Sequence, residues 1–508
     1  MDFIFLALCT LCIAVIFSIF LMIYYQYVIK QKLGDIPEVK GYPFIGVTYE
    51  FMKLSDSGRT KRFQLFLNEF KEGIFMLRFG TKPFIVVYKP EYFELIFATV
   101  NITKGDFYKM AKPWLGNGLV TSTGKQWFNN RKLIGPTFHF SILEQFAEVF
   151  FEKTEILIKC LERKIEDNPG KAIDIFPFIT NATLDIICET AMGVNVHAQE
   201  VVTKYTSALH QVTVLIINRI IQPWYWIDWI YYLSPAGKQF KSRLNILHEF
   251  GKKVINERKL ERQSQNTKLI NEDGEFNIGK RKRKAFLDLL LDQIEKDNTP
   301  LTDDELRAQV DTFMFAGQDT SSVAISWALF LLGNNLEHQE KVHEELEEIF
   351  GDSEVLANTK ELSQLKYLER VIKETLRMFP SVPLILRKLV EDVKIDNYTL
   401  PKGTSVLLAI AFAHQNPAVW SDPSKFDPDR FLPENSKNRN PYAYVPFSAG
   451  PRNCLGQKFA LLEIKIILTA ILRKWRVKSV KTVNTIKMGG SLILRPNEKV
   501  FMHFTSKK

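Results

Sequence analysis

The chain has 508 residues, of which 46% are hydrophobic and 24% are charged. That length exceeds one ordinary hydrophobic core, and the composition is that of a globular protein. The formal net charge of +10 suits an anionic membrane surface or an acidic protein partner. No basic helix with interleaved aromatic residues points to nucleic acid. The five cysteines form no spaced framework, which favours a reducing compartment and a body without disulfides.

An apolar run near the start predicts a membrane anchor. Residues 3–25 are apolar apart from Thr10 and Ser18. At about 1.5 Å per residue, a helix over this run spans roughly 34 Å, enough to cross a bilayer core of about 30 Å. A cleaved signal peptide would have a basic start and a shorter apolar region. The cations Lys30 and Lys32 follow the run, so the positive-inside rule places the N-terminus outside and the body in the cytoplasm.

The sequence divides into an anchor over residues 1–29, a basic and proline-rich hinge over 30–50, and one large domain over 51–508. Pro37 and Pro43 in the hinge cannot continue the membrane helix. Short β-like runs at 74–79 and 84–88 are followed by mostly helical patterns. The charged stretch 256–284 is expected to be a surface loop between helices.

A capping box at Thr302 predicts a long helix that runs to about Leu332. Its middle contains Gly317, although a glycine inside a helix costs about 1 kcal/mol relative to alanine. Two interpretations stay open, a glycine required by packing and a local opening beside a cofactor. Asp319 and Thr320 follow this glycine and can hold or pass protons.

Two further pairs of residues stand on predicted helices. Trp127 and Arg131 lie four residues apart and share one helix face. Taken alone, that pair favours a half-buried tryptophan beside a solvated arginine. Glu374 and Arg377 lie three residues apart among apolar residues, which favours a buried and fully paired network with a structural role.

The most informative stretch is residues 447–456, Phe-Ser-Ala-Gly-Pro-Arg-Asn-Cys-Leu-Gly, which places a single cysteine, Cys454, between Gly450 and Gly456. Glycines let the main chain bend and approach a flat ligand closely, and backbone amides with a following helix N-terminus favour a thiolate. One thiolate without a second ligand at metal spacing cannot close a zinc site, but it can be the axial ligand of a haem iron. A buried loop cysteine is the ordinary alternative.

This stretch resembles the haem-binding loop of the cytochrome P450 superfamily, microsomal type, and the other patterns follow in that family's order over nearly the whole chain. The resemblance implies the P450 fold, mainly α with a smaller β-rich lobe and a single N-terminal transmembrane helix. It implies haem b, with Cys454 as the metal ligand and with Thr320 and Asp319 as the catalytic pair. The other haem contacts it implies are Trp127, Arg131, Arg387, Arg452, Phe447, Gly450, Gly456, Ala316 and Gly317, and the structural network it implies is Glu374, Arg377 and Arg430.

The finer resemblance is to the family 4 branch, which contains fatty-acid ω-hydroxylases and their insect relatives. It is carried by residues 131–140, 285–290 and 441–448. Many members of that branch have a glutamate where this chain has Ala316, and that carboxylate can esterify the haem. Alanine cannot, so the resemblance implies no ester link at position 316. The inference that oxidation is directed to a terminal methyl group is correspondingly weaker.

The resemblance implies a haem-thiolate monooxygenase that inserts one oxygen atom from O2 into an apolar substrate, such as a fatty acid, a terpenoid or hormone-like lipid, or a foreign compound. The chain has no nucleotide-binding glycine motif, so electrons from NADPH are expected through NADPH-cytochrome P450 reductase, with cytochrome b5 as a further partner. The expected location is the endoplasmic reticulum membrane, with the catalytic domain on its cytoplasmic face. No nucleic-acid partner is expected.

The substrate pocket is expected to be lined by residues 107–118, 313–316, 381–385 and 489–492, which are mostly apolar and do not identify the substrate. Two alternative functions stay open. One is a haem-thiolate isomerase or dehydratase that acts on peroxides and needs no reductase. The other is a non-catalytic binder of haem or lipid.

Overall fold

The computed structural model describes residues 2–97, 103–138, 140–271, 285–297, 301–351, 353, 358–490 and 492–507. The helices are α1 (Asp2–Leu33), α2 (Thr48–Lys53), α3 (Asp56–Glu69), α4 (Pro90–Phe97), α5 (Lys112–Leu115), α6 (Gly124–Ile134), α7 (Phe140–Glu166), α8 (Phe176–Ile187), α9 (Tyr205–Ile221), α10 (Asp228–Leu233), α11 (Pro235–Asn271), α12 (Phe286–Asp297), α13 (Asp303–Asn334), α14 (Leu336–Phe350), α15 (Thr359–Gln364), α16 (Lys366–Met378), α17 (Ile410–Ala413), α18 (Pro433–Ser436) and α19 (Gln457–Lys474). The strands are β1 (Ile74–Phe79), β2 (Lys82–Val87), β3 (Ile173–Asp174), β4 (Ile385–Lys388), β5 (Val393–Ile395), β6 (Tyr398–Leu400), β7 (Ser405–Leu408), β8 (Trp475–Ser479), β9 (Met488–Gly490), β10 (Leu494–Pro496) and β11 (Phe501–Ser506). The predicted fold class, mainly α with a smaller β-rich part, is confirmed.

The largest sheet of the described residues has the strand order β1-β2-β7-β4. β1 and β2 form an antiparallel hairpin that closes at Phe79 and Lys82, as the early β-like runs predict. β7 lies parallel to β2, and β4 lies antiparallel to β7 with Arg387 opposite Val406. An isolated bridge pairs Lys104 with Arg387. The sheet therefore brings two basic residues to its β4 edge.

Helix α1 is, within the described residues, the one helix long and apolar enough to cross a membrane, over Ile4–Leu33. It continues four residues past the boundary expected for the anchor. Leu33 and Ile36 are buried and belong to one apolar cluster with Ile74 and Val393. The end of α1 is thus packed against the sheets of the main body.

The segment after α1 lies along the edge of β1. The Val39 amide donates to the Met76 carbonyl at 2.9 Å, and the Met76 amide donates to the Pro37 carbonyl at 2.7 Å. Gly46 has a φ of +58°, and a Cβ there would lie 2.2 Å from the Arg78 carbonyl oxygen, so this position requires glycine. Residues 37–47 therefore form an ordered connection against the sheet.

The charged stretch expected to be a surface loop is helical in its first part. Helix α11 runs from Pro235 to Asn271, so the prediction of a loop from residue 256 is wrong up to residue 271, and residues 272–284 lie outside the described residues. Its charged residues are good helix formers that pair across one turn. Arg258 donates to Glu261 at 2.7 Å, and Lys253 lies 3.6 Å from Glu257.

Helix α13 is the central element of the fold. Its predicted start is confirmed, because Thr302 Oγ1 accepts the Glu305 amide at 3.2 Å and Glu305 Oε2 accepts the Thr302 amide at 3.0 Å. Helices α8, α11, α16 and α19 pack around it and bury most of its length. Because other elements enclose α13, it carries apolar and small residues on every face. Its sequence therefore does not show the single apolar stripe of a surface helix.

Gly317 in α13 makes a close approach to α8. A Cβ at this position would lie 2.5 Å from Ile187 Cδ1 and 2.7 Å from Ile187 Cγ1. Such distances are too short for carbon atoms in van der Waals contact. This close approach directly supports the first interpretation of Gly317, a glycine required by packing.

A fully buried ion pair joins α16 to the loops behind the Cys454 stretch. Arg377 donates from Nε and Nη2 to the two carboxylate oxygens of Glu374 at 2.7 and 2.8 Å, and both residues are 0% exposed. Arg377 also donates to the carbonyls of His414 and Pro423, each at 2.9 Å. Arg430 Nε lies 3.4 Å from Glu374 Oε1. The structure brings the three predicted network residues together through charge-assisted contacts.

His414 extends this network toward the Cys454 stretch. Burial and the nearby charge of Arg377 lower the pKa of His414 to about 3, so the imidazole is neutral. Its Nε2 accepts the Val445 amide at 2.9 Å, and its ring stacks on Tyr444 with centroids 5.4 Å apart. The backbone just before Phe447 is therefore held by a buried histidine that no sequence pattern indicated.

Replacing Gly317 by alanine should lower the melting temperature, because overpacking of this kind costs about 1–3 kcal/mol. Ile187→Ala removes the atoms that the new methyl group would overlap, so the two substitutions together should destabilise less than the sum of their separate effects. Gly135→Ala is the control, since Gly135 is helical and a Cβ there would meet nothing within 4 Å. Additive losses would contradict the close approach of α13 to α8.

Glu374→Ala should lower the free energy of unfolding by about 3–5 kcal/mol, because it leaves the buried Arg377 without its anion. Glu340→Ala is the matched control, because Glu340 pairs with Arg476 on the surface, where such a pair contributes about 0–1 kcal/mol. The two variants are compared by chemical denaturation and by the yield of folded protein. Equal midpoints would argue against a structural role for the buried pair.

Candidate active site

Residues 447–454 fold into a closed loop. The Cys454 amide donates to the Phe447 carbonyl at 2.8 Å, and the Asn453 amide donates to the Gly450 carbonyl at 3.0 Å. Ser448 and Gly450 have φ values of 60° and 69°, in the left-handed region. A Cβ on Gly450 would lie 2.3 Å from the carbonyl oxygen of the last residue of α4. Both the conformation and the close approach therefore require glycine at position 450.

The Cys454 thiol faces an internal space. Its side chain has accessible surface although the residue lies deep within the protein. Burial raises the pKa of this thiol, whereas the Gly456 amide and the Arg131 guanidinium lower it. A Cβ at Gly456 would have Phe138 Cε1 as its nearest neighbour, at 4.0 Å, so the backbone there is open. A backbone donor and a cation are thus in place to stabilise a thiolate.

Three cations meet beside this loop. Arg387 is 2% exposed on β4, and burial lowers its pKa. Burial, followed by the charges of Arg387 and Arg452, lowers the pKa of Lys104 well below its usual value. Burial, Arg387 and Arg131 lower the pKa of Arg452 to about 9. Among the described residues, no carboxylate forms an ion pair with Lys104, Arg387 or Arg452.

Arg452 shows most directly that this cluster requires an anion. Its Nη2 donates to the Ser122 carbonyl at 2.8 Å, and its guanidinium carbon lies 4.3 Å from the centroid of the Trp127 ring. Its Nε and Nη1 are buried and have no hydrogen-bond partner among the described groups. A buried donor without a partner costs about 1–3 kcal/mol, and more when it is charged. A ligand with carboxylates here would satisfy these nitrogens.

Trp127 and Arg131 share one face of α6, as predicted. Arg131 Nη1 and Nη2 donate to Asn453 O and Oδ1 at 2.9 and 2.7 Å, which ties α6 to the Cys454 loop. Burial lowers the pKa of Arg131, and the charge of Cys454 raises it. The buried Trp127 ring supports the guanidinium of Arg452. Both predicted residues therefore lie at the site, through contacts that the spacing alone does not specify.

The middle of α13 also lines an internal space. Ala316, Gly317 and Thr320 are partly exposed, although the helix is buried on either side of them. Thr320 Oγ1 donates to the Ala316 carbonyl at 2.7 Å, so its lone pairs can accept a hydrogen bond. Phe313, expected in the pocket wall, is instead buried with ring centroids 5.5 Å from Phe138 and 4.4 Å from Phe286.

Asp319 belongs to a different network from Thr320. It is buried, and its Oδ2 pairs with Arg495 Nη2 on β10. Arg495 Nη1 lies 2.9 Å from His210 Nδ1 on α9. Burial raises the pKa of Asp319, whereas Arg495 lowers it. Thus Thr320 lines the internal space, and Asp319 is held by a cation beside it.

Glu463 on α19 is a second buried acid near this helix. It is 0% exposed, and neither carboxyl oxygen has a hydrogen-bond partner among the described groups. Burial raises the pKa of Glu463 to about 8, although Ser321 on α13 faces it and lowers the value. The carboxyl group is therefore protonated at neutral pH.

Sequence reasoning missed Lys104, Arg495, His210 and Glu463. A signal exists for Glu463, because it is an acid within the apolar helix pattern that follows Cys454. The other three have no local pattern, since each is recognised only by partners that lie far away in the chain.

These side chains fit a haem. Cys454 offers one sulfur stabilised by a backbone donor and a cation, and Lys104, Arg387 and Arg452 form a cluster that requires carboxylates. The described residues contain no group of three or more His, Cys, Asp and Glu side chains that could hold a metal by themselves. A flat cofactor that brings its own metal and two carboxylates matches this set.

Glu463→Gln should make protein stability less dependent on pH. The carboxyl group is protonated up to about pH 8 when folded, but its ordinary pKa is 4.5, so the folded state holds one more proton between these values. Stability should fall as the pH rises through this window, by at most about 1.4 kcal/mol per pH unit. The gain in melting temperature of Glu463→Gln over the parent should grow from pH 5 to pH 8. The exposed Glu434→Gln is the control, and a constant gain would contradict a buried, protonated carboxyl group.

Residues 37–504 match the family described as Cytochrome P450. The chain is 43% identical over 476 residues to Cytochrome P450 4V2 of Mus musculus, which covers 93% of this chain and 90% of the relative. It is 40% identical over 469 residues to Cytochrome P450 4c21 of Blattella germanica, covering 92% of each. It is 42% identical over 434 residues to Cytochrome P450 4c3 of Drosophila melanogaster, covering 84% of this chain and 80% of the relative.

Among solved structures, the one titled Crystal structure of cytochrome P450DA heme domain superposes with a TM-score of 0.78. The superposition covers 94% of this chain and 99% of that chain at 23% identity, so it shows a shared fold. The relationship to family 4 and the P450 fold, both expected from the sequence, are confirmed. The chain therefore belongs to the cytochrome P450 family and is a haem-dependent monooxygenase.

Proposed function

We propose that this monooxygenase is anchored in the endoplasmic reticulum membrane and hydroxylates an apolar, lipid-like substrate with electrons from a partner reductase. The observation that carries the proposal is the Cys454 thiol facing an internal space beside three cations without carboxylates. In this reaction one oxygen atom of O2 enters a C–H bond and the other becomes water, with two electrons and two protons consumed.

When bound, the haem supplies the oxygen chemistry, and the protein holds and orients it. Cys454 Sγ would hold the haem iron, with its thiolate stabilised by the Gly456 amide and by Arg131. The cation cluster would bind the propionates, because its charges lack carboxylates among the described residues. The proposed haem contacts are Trp127, Arg131, Arg387, Arg452, Phe447, Gly450, Gly456, Ala316 and Gly317, and Lys104 joins them because of its charged neighbours.

Thr320 and Asp319 would supply protons. The Thr320 hydroxyl lines the internal space and can accept a proton at Oγ1 while it releases its own. Asp319 is the adjacent acid, whose burial already favours its protonated form. Both protons that the reaction consumes would enter through this pair.

The segments expected to line the substrate pocket are mostly apolar, which favours a lipid-like substrate. Trp114 packs on Phe315 with centroids 4.7 Å apart, and Phe107 stacks on Phe84 at 4.8 Å. Phe107, Trp114 and Phe315 belong to the expected wall segments 107–118 and 313–316, whereas Phe313 packs against Phe138 and Phe286 instead. Residue 491 of the expected segment 489–492 lies outside the described residues. Alanine at position 316 has no carboxylate, so haem retention would depend on the thiolate and the cations.

Electrons would arrive at the surface over the Cys454 loop. Arg131 ties α6 to this loop, and α19 begins just after it. The exposed residues on these helix starts and ends include Lys125, Phe128, Lys132 and Lys458. A basic surface with one exposed aromatic ring suits an acidic flavoprotein such as NADPH-cytochrome P450 reductase, and cytochrome b5 as a second donor. Electrons from NADPH would enter through that partner.

Membrane attachment through α1 is supported by a second apolar surface. The exposed apolar residues of the segment between α9 and α11 are Trp224, Ile227, Trp229, Tyr232 and Leu233. Tryptophan and tyrosine prefer the membrane–water interface. This segment touches the β1–β2 turn, because a Cβ at Gly80 would lie 2.9 Å from Pro223 Cγ. The catalytic body would therefore rest on the cytoplasmic face of the bilayer.

Cys454→Ser should abolish hydroxylation and remove the red-shifted Soret band of the reduced, carbon monoxide-bound protein, because an alcohol does not replace the thiolate. The control is Cys160→Ser, a partly buried cysteine whose sulfur lies 3.9 Å from the Gln199 carbonyl on another surface. Hydroxylation of dodecanoate is measured in membranes with reductase and NADPH. Retained hydroxylation in Cys454→Ser would overturn the proposal, and turnover of peroxides without reductase would favour the isomerase alternative.

A further inference from the structure

Helix α5 is a short helix of the expected pocket wall, and its end needs a polar partner. It stops at Gly116, which has a φ of +50°. The Gly116 amide donates to the Lys112 carbonyl at 2.9 Å, and the Gly118 amide donates to the Leu115 carbonyl at 3.0 Å. The Trp114 carbonyl, between these two acceptors, is among those that a helix end leaves without an intrahelical donor.

His248 on α11 supplies the donor. Its Nε2 lies 3.3 Å from the Trp114 carbonyl oxygen. A carbonyl oxygen can only accept, so Nε2 carries the proton and donates it. Burial lowers the pKa of His248, so the imidazole is neutral at neutral pH and the bond does not depend on a charge. This bond ties the end of α5 to α11.

The position of His248 is set by a close crossing of α11 and α13. One turn further along α11, a Cβ at Gly251 would lie 2.6 Å from Asp311 Oδ1, so α11 lies directly against this carboxylate. Asp311 Oδ2 is 3.9 Å from His248 Nε2 and 2.9 Å from Arg307 Nη1. Because Asp311 pairs with Arg307, a change at His248 does not leave a buried acid without a cation.

Phe315 completes a closed set of contacts. It lies four residues after Asp311 and therefore on the same face of α13. The Trp114 ring packs on Phe315 with centroids 4.7 Å apart, and both side chains are buried. The next residue, Ala316, is partly exposed to the internal space. The contacts run from Asp311 through His248 and Trp114 back to α13, so the imidazole fixes the separation of α5 from α13.

The rest of the wall segment is attached without His248. The Leu119 amide donates to Gln309 Oε1 on α13 at 3.1 Å, and Asn130 Nδ2 on α6 donates to the Asn117 carbonyl at 3.1 Å. Loss of the His248 bond should therefore release the end of α5 without detaching the residues that follow it.

We propose that His248 is a positioning residue of the substrate pocket, whose bond to the Trp114 carbonyl keeps the wall at Phe315 narrow and so favours ligands of small cross-section. The inference rests on the proposed function, in which residues 107–118 and 313–316 line that pocket. His248 acts through Trp114 and does not touch the ligand. An unbranched chain fits beside the fixed ring, whereas a compound with several rings on one carbon requires Trp114 to move.

The test is the binding of two azoles to the haem-containing full chain, measured by the Soret shift when an azole nitrogen binds the iron. Phenylimidazole is narrow, whereas clotrimazole carries three aromatic rings on one carbon. His248→Leu removes the donor, so it should improve the affinity for clotrimazole relative to phenylimidazole by about fivefold, the change expected from the loss of one neutral hydrogen bond. An unchanged ratio of the two dissociation constants, or a shift against clotrimazole, would overturn the proposal.

Two further variants separate the bond from a general effect on α11. His248→Gln keeps an N–H donor at about the position of Nε2 and should keep the parent ratio. Asn245→Leu is the matched control, because it makes the same change to leucine at an exposed position one turn earlier on the same helix. A change in either variant as large as that in His248→Leu would also overturn the proposal.

Amide hydrogen exchange gives a readout that needs no ligand. Exchange at residues 114–118 should rise in His248→Leu, stay at the parent level in His248→Gln and Asn245→Leu, and remain unchanged at residues 119–122. Unchanged exchange at 114–118, or an equal rise along the whole chain, would contradict the role of this bond. Neither readout requires a reductase, a lipid or turnover, so failure here is distinguishable from failure of the proposed function.

Discussion

The position of Cys454 depends on the buried contact between Arg377 and Glu374. Removing both charges from water costs several kcal/mol, and this cost is offset only when the donors and acceptors are nearly all used. Here the guanidinium binds the carboxylate and three backbone carbonyls, and the same carboxylate accepts the Asp427 amide at 2.9 Å. His414 extends that rigid block to the backbone in front of the loop. The Cys454 loop contains two left-handed residues, Ser448 and Gly450, and this network stabilises its conformation.

In front of the Cys454 loop, by contrast, the charged groups interact unfavourably. Lys104, Arg387 and Arg452 repel one another in a buried setting, and Glu463 keeps its proton because its burial outweighs the effect of Ser321. Unfavourable groups of this kind concentrate at functional sites, where a ligand or a reaction makes use of them. The fold thus combines a largely satisfied network behind Cys454, centred on Arg377 and Glu374, with an unsatisfied one around it. The stability of the first offsets the cost of the second.

Local patterns in the sequence predicted much of the site. The Cys454 loop, the capping box of α13 and the Glu374–Arg377 pair each lie within about ten residues of chain, so the residues that define them are visible together. Lys104, His414 and Arg495 act through partners from distant elements, which no spacing reveals. The sequence shows that a glycine inside α13 lowers helix stability, but it does not show that Gly317 packs against α8. The high charge of 256–284 predicts a loop, but its first part is helical because those residues favour a helix that pairs its charges across each turn.

The packed junction between α1 and the sheets would make the membrane a mechanical part of the proposed membrane-anchored enzyme. Leu33 and Ile36 are buried in the body, and the next residues hydrogen-bond along β1, so the anchor and the sheet turn together. A helix longer than the bilayer core tilts to match its thickness. Any change in tilt must therefore rotate the whole catalytic body relative to the membrane plane. In the proposed arrangement, bilayer thickness would then set the angle at which the basic surface over Cys454 meets the proposed reductase in the same membrane.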